Sequence, residues 1–185
     1  MSKTNLQLKQ AIIQTVQEDI TPKWQRELQQ TITDPTELMQ LLKLDPKQHS
    51  GIEEAIRQFP LRVPRPFLTR MAKGDPHDPL LQQVLPIASE MKTNAGYSLD
   101  PLMEKHRSQS AGIIQKYHGR VLLMVSGHCA IHCRYCFRRH FPYQENRLNR
   151  LQWQQVIADI AADPTISEVI YSGGDPLVNS DKQLA

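Results

Sequence analysis

Outside residues 129–136 the sequence has no cysteine, so a disulfide framework distributed over the chain is excluded. No run of 18 apolar residues occurs, which leaves no candidate for a membrane-spanning helix. The polar start MSKTNLQLKQ has no apolar signal-peptide core, so a reducing cytoplasm is the expected compartment. The excess of one charge sign is small, +3, and it is spread along the chain. Nucleic-acid binding is not expected without a dense basic stripe interleaved with aromatics. Internal repeats and low-complexity tracts are also missing, although glutamine is abundant in the first 60 residues. With 39% hydrophobic and 22% charged residues, what remains is a soluble globular chain with enough apolar surface for a core.

The three cysteines that are present, Cys129, Cys133 and Cys136, form one Cys-x3-Cys-x2-Cys run. Thiolates this close in sequence can converge on a soft metal centre. A cubane iron-sulfur cluster has four irons and usually takes four cysteines, so three cysteines leave one iron open to a ligand. That suits a catalyst better than an electron carrier. Two alternatives stand beside it. A Cys3His zinc shell could draw on His128, His132 or His140, although zinc ligands usually come as two separated pairs. A disulfide with one spare thiol runs against the reducing compartment.

The chain divides near residue 115. Residues 1–115 read as short helices broken by prolines, a wrapping or oligomerisation arm rather than a site of chemistry. Leu8, Ile12 and Val16 mark an amphipathic helix within Leu6 to Val16. Thr21 with Pro22 and Asp34 with Pro35 are helix starts, and Ser50 with Glu53 has the capping-box spacing. Between Phe59 and Pro86 the proline density predicts only short elements.

Residues 116–185 change character. Arg120 to Ser126 (RVLLMVS) has an apolar core suited to a strand buried on both faces. The cysteine loop follows it. Leu151 to Ala162 then reads as a helix with Val156, Ile157, Ile160 and Ala161 on one face, and Glu168 to Ser172 as a second strand ending at Gly173, Gly174 and Asp175. Strand, loop, helix, strand, loop is how a parallel α/β barrel begins, and both motif loops fall at C-terminal strand ends, where such folds gather their chemistry. Two strands cannot close a barrel, so the expectation is the first part of a longer protein.

The loops hold further candidates. Tyr135 could pack on an adenine or shield a cluster from water. Arg138 and Arg139 follow the third cysteine, and a guanidinium fork matches a carboxylate; for Arg139 the expectation is a solvated charge offsetting an anionic cluster. Gly173 and Gly174 let a backbone approach a ligand without a Cβ in the way. Asp175 can cap the following turn or accept from a ligand amine.

The cysteine spacing resembles that of the radical S-adenosylmethionine (radical SAM) enzymes, in which SAM chelates the open iron through its amino and carboxylate groups. DPLMEKH, YHGRVLLMVSGHCAIHCRYCFRRHFPY and YSGGDPL together resemble the lysine 2,3-aminomutase family. FPLRVPRPFLTRMAKGDPHDPLLQQVLP and CRYCFRRHFPYQEN resemble its bacterial branch that makes β-lysine for elongation factor P. The resemblance implies a [4Fe-4S] cluster on Cys129, Cys133 and Cys136, SAM, and pyridoxal 5′-phosphate (PLP). In such enzymes a 5′-deoxyadenosyl radical takes hydrogen from the β-carbon of lysine while PLP carries the migrating nitrogen. By the same resemblance Gly173, Gly174 and Asp175 contact the SAM amino group, and Arg138 is the catalytic candidate that anchors the substrate carboxylate. Tyr117 and Arg120 bind the PLP phosphate, with Lys116 where some relatives carry arginine.

The resemblance further implies an α/β fold in which a helical region leads into the first βα units of a radical SAM barrel, cut short. An external electron donor, L-lysine as substrate, a link to elongation factor P modification and a homo-oligomer belong to the same expectation. The lysine that carries PLP lies in the family's C-terminal half, so no lysine here is assigned to it, and the 185-residue piece alone is expected to be inactive. A radical SAM enzyme of other specificity, a non-catalytic metal-binding module and an inactive fragment are the alternatives.

Overall fold

Proline and aspartate set the starts of the first described helices. In a computed structural model that describes residues 21–45, 51–105, 108–110 and 112–184, α1 covers Lys23–Gln29 and α2 covers Pro35–Leu41. Asp34 accepts from the Thr36 amide at 2.8 Å and Pro35 takes the first helical position, as the sequence predicts. At α1 the proline stands one place earlier than expected, with Pro22 itself at the cap. The Leu6 to Val16 helix and the Ser50 half of the capping box lie outside the described residues.

Three short helices follow: α3 at Ile52–Gln58, α4 at Arg65–Leu68 and α5 at Pro79–Gln82. Their brevity is the expected effect of the prolines. Asp78 is buried and caps α5, accepting from the Leu80 and Leu81 amides, and it also accepts from Ala72 across the loop. Ile32, Leu38, Leu42, Leu61, Val63 and Leu81 form a closed apolar core. Reciprocal bonds of 2.9 Å between Ile32 and Val63 tie its two sides.

The second region is a four-stranded sheet in the order β1 (Ser108–Ser110), β2 (Ile113–Tyr117), β3 (Arg120–Ser126), β4 (Glu168–Gly173). β3 and β4 are parallel, joined through α6 (Arg150–Ala162), so the predicted strand, loop, helix, strand order is present. β1 and β2 add an antiparallel edge that the sequence reading lacks. Only Ile113 and Ile114 of β2 are buried, so the strand carries almost no apolar signal. Its clearest mark is the tight turn to β3 at His118 and Gly119, where Gly119 has φ +74°. β2 also crosses the boundary expected near residue 115.

Helix α6 starts at a capping box: Asn149 accepts from the Gln152 amide, and the Gln152 side chain accepts from the Asn149 amide. It lays Val156, Trp153 and Ile160 on Val121, Leu123 and Ile113. Ile157 and Ala161, expected on the covered face, are exposed. The turn Pro176–Val178 and a last short helix, α7 (Asp181–Leu184), follow β4. The fold is thus mixed α/β with a small sheet and several helices. Among the described residues no helix is long and apolar enough to cross a membrane.

Candidate metal centre

The cysteine loop leaves the C-terminal end of β3 through a small hydroxyl-stabilised turn. Ser126 Oγ donates to the His128 carbonyl at 3.0 Å and accepts from the His128 amide at 3.1 Å. Cys129, Cys133 and Cys136 are free thiols, each partly exposed. Burial first, then the neighbouring Cys136, Asp175 and Cys133, pushes the Cys129 thiol above its ordinary value. Among the described residues no three His, Cys, Asp or Glu side chains converge on a single-ion position. A cubane puts each thiolate on a different iron and needs a more open array than zinc. The three thiols of one loop fit a cluster's donor chemistry, whereas His132, a possible zinc ligand, has Nδ1 2.9 Å from the Pro60 carbonyl oxygen.

The turn after β4 meets this loop backbone to backbone. The Gly174 amide donates to the Ser126 carbonyl and the Asp175 amide to the His128 carbonyl, both at 2.8 Å. Gly173 has φ +115°, and a Cβ there would collide with the Ser126 carbonyl oxygen; at Gly174 it would collide with that of His128. The glycine pair is therefore required by the protein's own packing. The Asp175 carboxylate caps the next turn, accepting from the Leu177 amide at 3.0 Å, which is the first of its two expected roles.

Arg138 is 9% exposed and Glu104 3%. Arg138 Nε donates to one Glu104 oxygen and Nη2 to the other, both at 2.8 Å, while Nη1 donates to Ser172 Oγ at 2.7 Å and to the Gly173 carbonyl at 3.2 Å. A carboxylate thus does sit in this fork, but it belongs to the chain. Glu104 is presented by a hook in which Asp100 accepts from the Glu104 and Lys105 amides and Met103 takes φ +52°. A left-handed non-glycine residue is unfavourable backbone, held here beside a buried ion pair. Tyr143 completes the seam, its hydroxyl donating to the Gly173 carbonyl at 3.0 Å; burial pushes its phenol up to about 12.

Tyr135 is 70% exposed, with its hydroxyl donating to Gln83 Oε1 at 3.3 Å. The neighbouring Cys133 thiol raises its phenol above the usual range. Arg139 is mostly buried and ion-paired to Glu90 at 2.8 Å, so the expectation of a solvated charge is corrected. Tyr117 ends β2 and pairs with Arg120 at the start of β3, and Arg120 is roughly 20 Å from the cysteine loop by strand rise. Arg120 is ion-paired to Glu168, and Lys116 Nζ donates to the Leu102 carbonyl at 2.8 Å.

Sequence reasoning missed Glu104, Tyr143, Glu90 and Arg134. Nothing in local pattern distinguishes a buried glutamate from a surface one. Arg134 did carry a signal, since a charge between two metal-ligand candidates must either face the centre or find its own partner.

Residues 117–185 match a family described as a 4Fe-4S single cluster domain. An L-lysine 2,3-aminomutase of Escherichia coli K12 is 49% identical over 163 residues, 87% of this chain and 47% of that protein. The enzyme of the same name from Haemophilus influenzae is 45% identical over 162 residues, 88% of this chain and 48% of the relative. That of Buchnera aphidicola is 43% identical over 163 residues, with 87% and 48% covered. The chain spans about half the length of these curated relatives.

Proposed function

This chain is a homologue of the L-lysine 2,3-aminomutases over about half their length, and from that premise we propose that it is the cluster-bearing part of a radical SAM isomerase converting L-α-lysine to β-lysine. The observation that carries the reading is the junction of the three-cysteine loop with the Gly173–Gly174–Asp175 turn, through the Asp175 bond to the residue before Cys129. In this reading Cys129, Cys133 and Cys136 hold three irons. When bound, the reduced cluster would supply the one electron that breaks a carbon–sulfur bond of SAM, leaving methionine and a 5′-deoxyadenosyl radical.

The chain's own residues bind and orient. The Gly173–Asp175 turn forms a wall beside the cysteines for the SAM amino group, and Tyr135 offers an exposed ring for the adenine. Arg138 anchors the lysine carboxylate by exchanging Glu104 for it. Glu104→Gln should then lower KM for lysine, whereas a purely structural pair leaves KM unchanged.

PLP enters this proposal from the family alone. Lys116, Tyr117 and Arg120 are the residues proposed to hold its phosphate; Arg120 is ion-paired to Glu168 and Lys116 donates to the Leu102 carbonyl. The first turns of a parallel barrel behind a helical N-terminal region, an external electron donor, a cytoplasmic location, a homo-oligomer and elongation factor P as the acceptor of β-lysine belong to the same reading.

The test is anaerobic reconstitution of the full-length protein with iron, sulfide, SAM, PLP and a reductant, followed by chromatography of the products of L-lysine. β-Lysine is expected. SAM cleavage without any β-amino acid would instead favour a radical SAM enzyme of another specificity.

A further inference from the structure

The cysteine loop is held from the side by the helical region, and one carboxylate lies at the centre of that grip. Glu90 comes from the turn Ala88–Met91 and is fixed in turn by accepting from the Ile87 amide at 3.0 Å. Arg134, between the second and third cysteines, donates to it through Nε at 3.0 Å and Nη2 at 2.7 Å. Arg139, three residues after the third cysteine, reaches it at 2.8 Å. Both guanidinium carbons lie over the Phe59 ring, 5.1 and 5.2 Å from its centroid, and His132 stacks on that ring at 4.9 Å. The Arg134 fork also donates to the Phe59 and Ala55 carbonyls at the end of α3. Backbone bonds from His132 to Arg62 and from Arg134 to Gln83 complete the hold.

A buried and a half-buried guanidinium against one carboxylate leave a net positive charge. Glu90 and Arg139 line the same cavity as Cys136, of about 270 Å³. We infer that Glu90 is a positioning residue for the cluster loop, clasping Arg134 and Arg139 and holding down the potential at which the cluster accepts its electron. Reduction adds negative charge, so nearby positive charge favours it and the Glu90 carboxylate opposes it. This inference rests on the cluster being bound at the three cysteines and not on lysine chemistry.

The test uses the full-length protein and three variants. Glu90→Asp keeps the charge but shortens the reach, and should lose iron to a chelator about 10–100-fold faster than wild type. Glu90→Gln should shift the midpoint potential upward. Combining it with Arg139→Gln, which restores the net charge, should bring the potential back. A merely structural contact would not follow charge in this way. Hydrogen exchange on the metal-free protein supplies a readout independent of the cluster: amides 132–139 should exchange faster in Glu90→Asp and Glu90→Gln. Wild-type exchange or iron retention in Glu90→Asp would overturn the inference. A single potential shared by Glu90→Gln and the double variant would do the same. Absence of β-lysine alongside these shifts would count against the aminomutase reading only.

Discussion

The helical region and the sheet region bury their apolar residues differently. The described residues of the helical region enclose a core in which Leu38, Leu81 and Val63 have no measurable exposure. The sheet has one face under α6 and a smaller buried cluster, while Ile157, Val169, Tyr171 and Leu177 remain exposed. The chemistry-bearing loop belongs by sequence to the sheet, yet its side chains are anchored largely in the helical region through Phe59, Gln83 and Glu90. A loop that is to hold a cluster needs a rigid frame, and here the apolar core of the helical region supplies it.

The sharpest way to separate the regions is to remove a thiol. Cys133→Ala in the full-length protein should take iron from about four per chain to near zero without changing helical content by circular dichroism. Loss of helix with the iron would mean that the frame depends on the metal.

Next in size is the other buried ion pair. Glu104→Ala leaves Arg138 uncompensated and should cost about 3–5 kcal/mol in urea denaturation. A loss under 1 kcal/mol would mean that Ser172 and Gly173 alone hold Arg138.

The core contrast can be read directly from two truncations. Leu38→Ala should cost about 2–5 kcal/mol, whereas Ile157→Ala, at a site 56% exposed, should stay within about 0.5 kcal/mol. Comparable losses would erase the distinction between the regions.

The smallest effect is on pH dependence. Amide bonds from Ala72, Leu81 and Leu80 hold the Asp78 carboxyl below its ordinary value. Its contribution is present above the unfolded carboxylate value, about pH 4, and is lost as pH falls through the lower folded value. Asp78→Asn should therefore flatten the acid limb of the stability curve, and an unaltered limb would exclude this role.

Legibility in the sequence followed the range of the interaction. Caps such as Asp34 with Pro35 and the apolar run of β3 are local signals, and both stand where they were expected. The three-cysteine spacing is also local, so the cysteine loop stands out in the sequence. β2 was hidden because pairing with β3, rather than its own apolar content, makes it a strand. Glu104 and Glu90 were hidden because their partners lie 34 and 44 residues away. Arg139 was misjudged for the same reason, since solvation is the default for a charge until a distant partner is seen. The glycine pair was legible in position but not in cause, because the colliding carbonyls belong to Ser126 and His128.

The proposed centre is a four-iron cluster on Cys129, Cys133 and Cys136 with one iron open to SAM. Electron paramagnetic resonance of the reduced full-length protein, recorded before and after adding SAM, tests it directly. The expected result is a cluster signal that changes on SAM addition as the open iron gains its ligand. An iron-sulfur signal that SAM leaves unaltered, or one zinc per chain with no such signal, would contradict it.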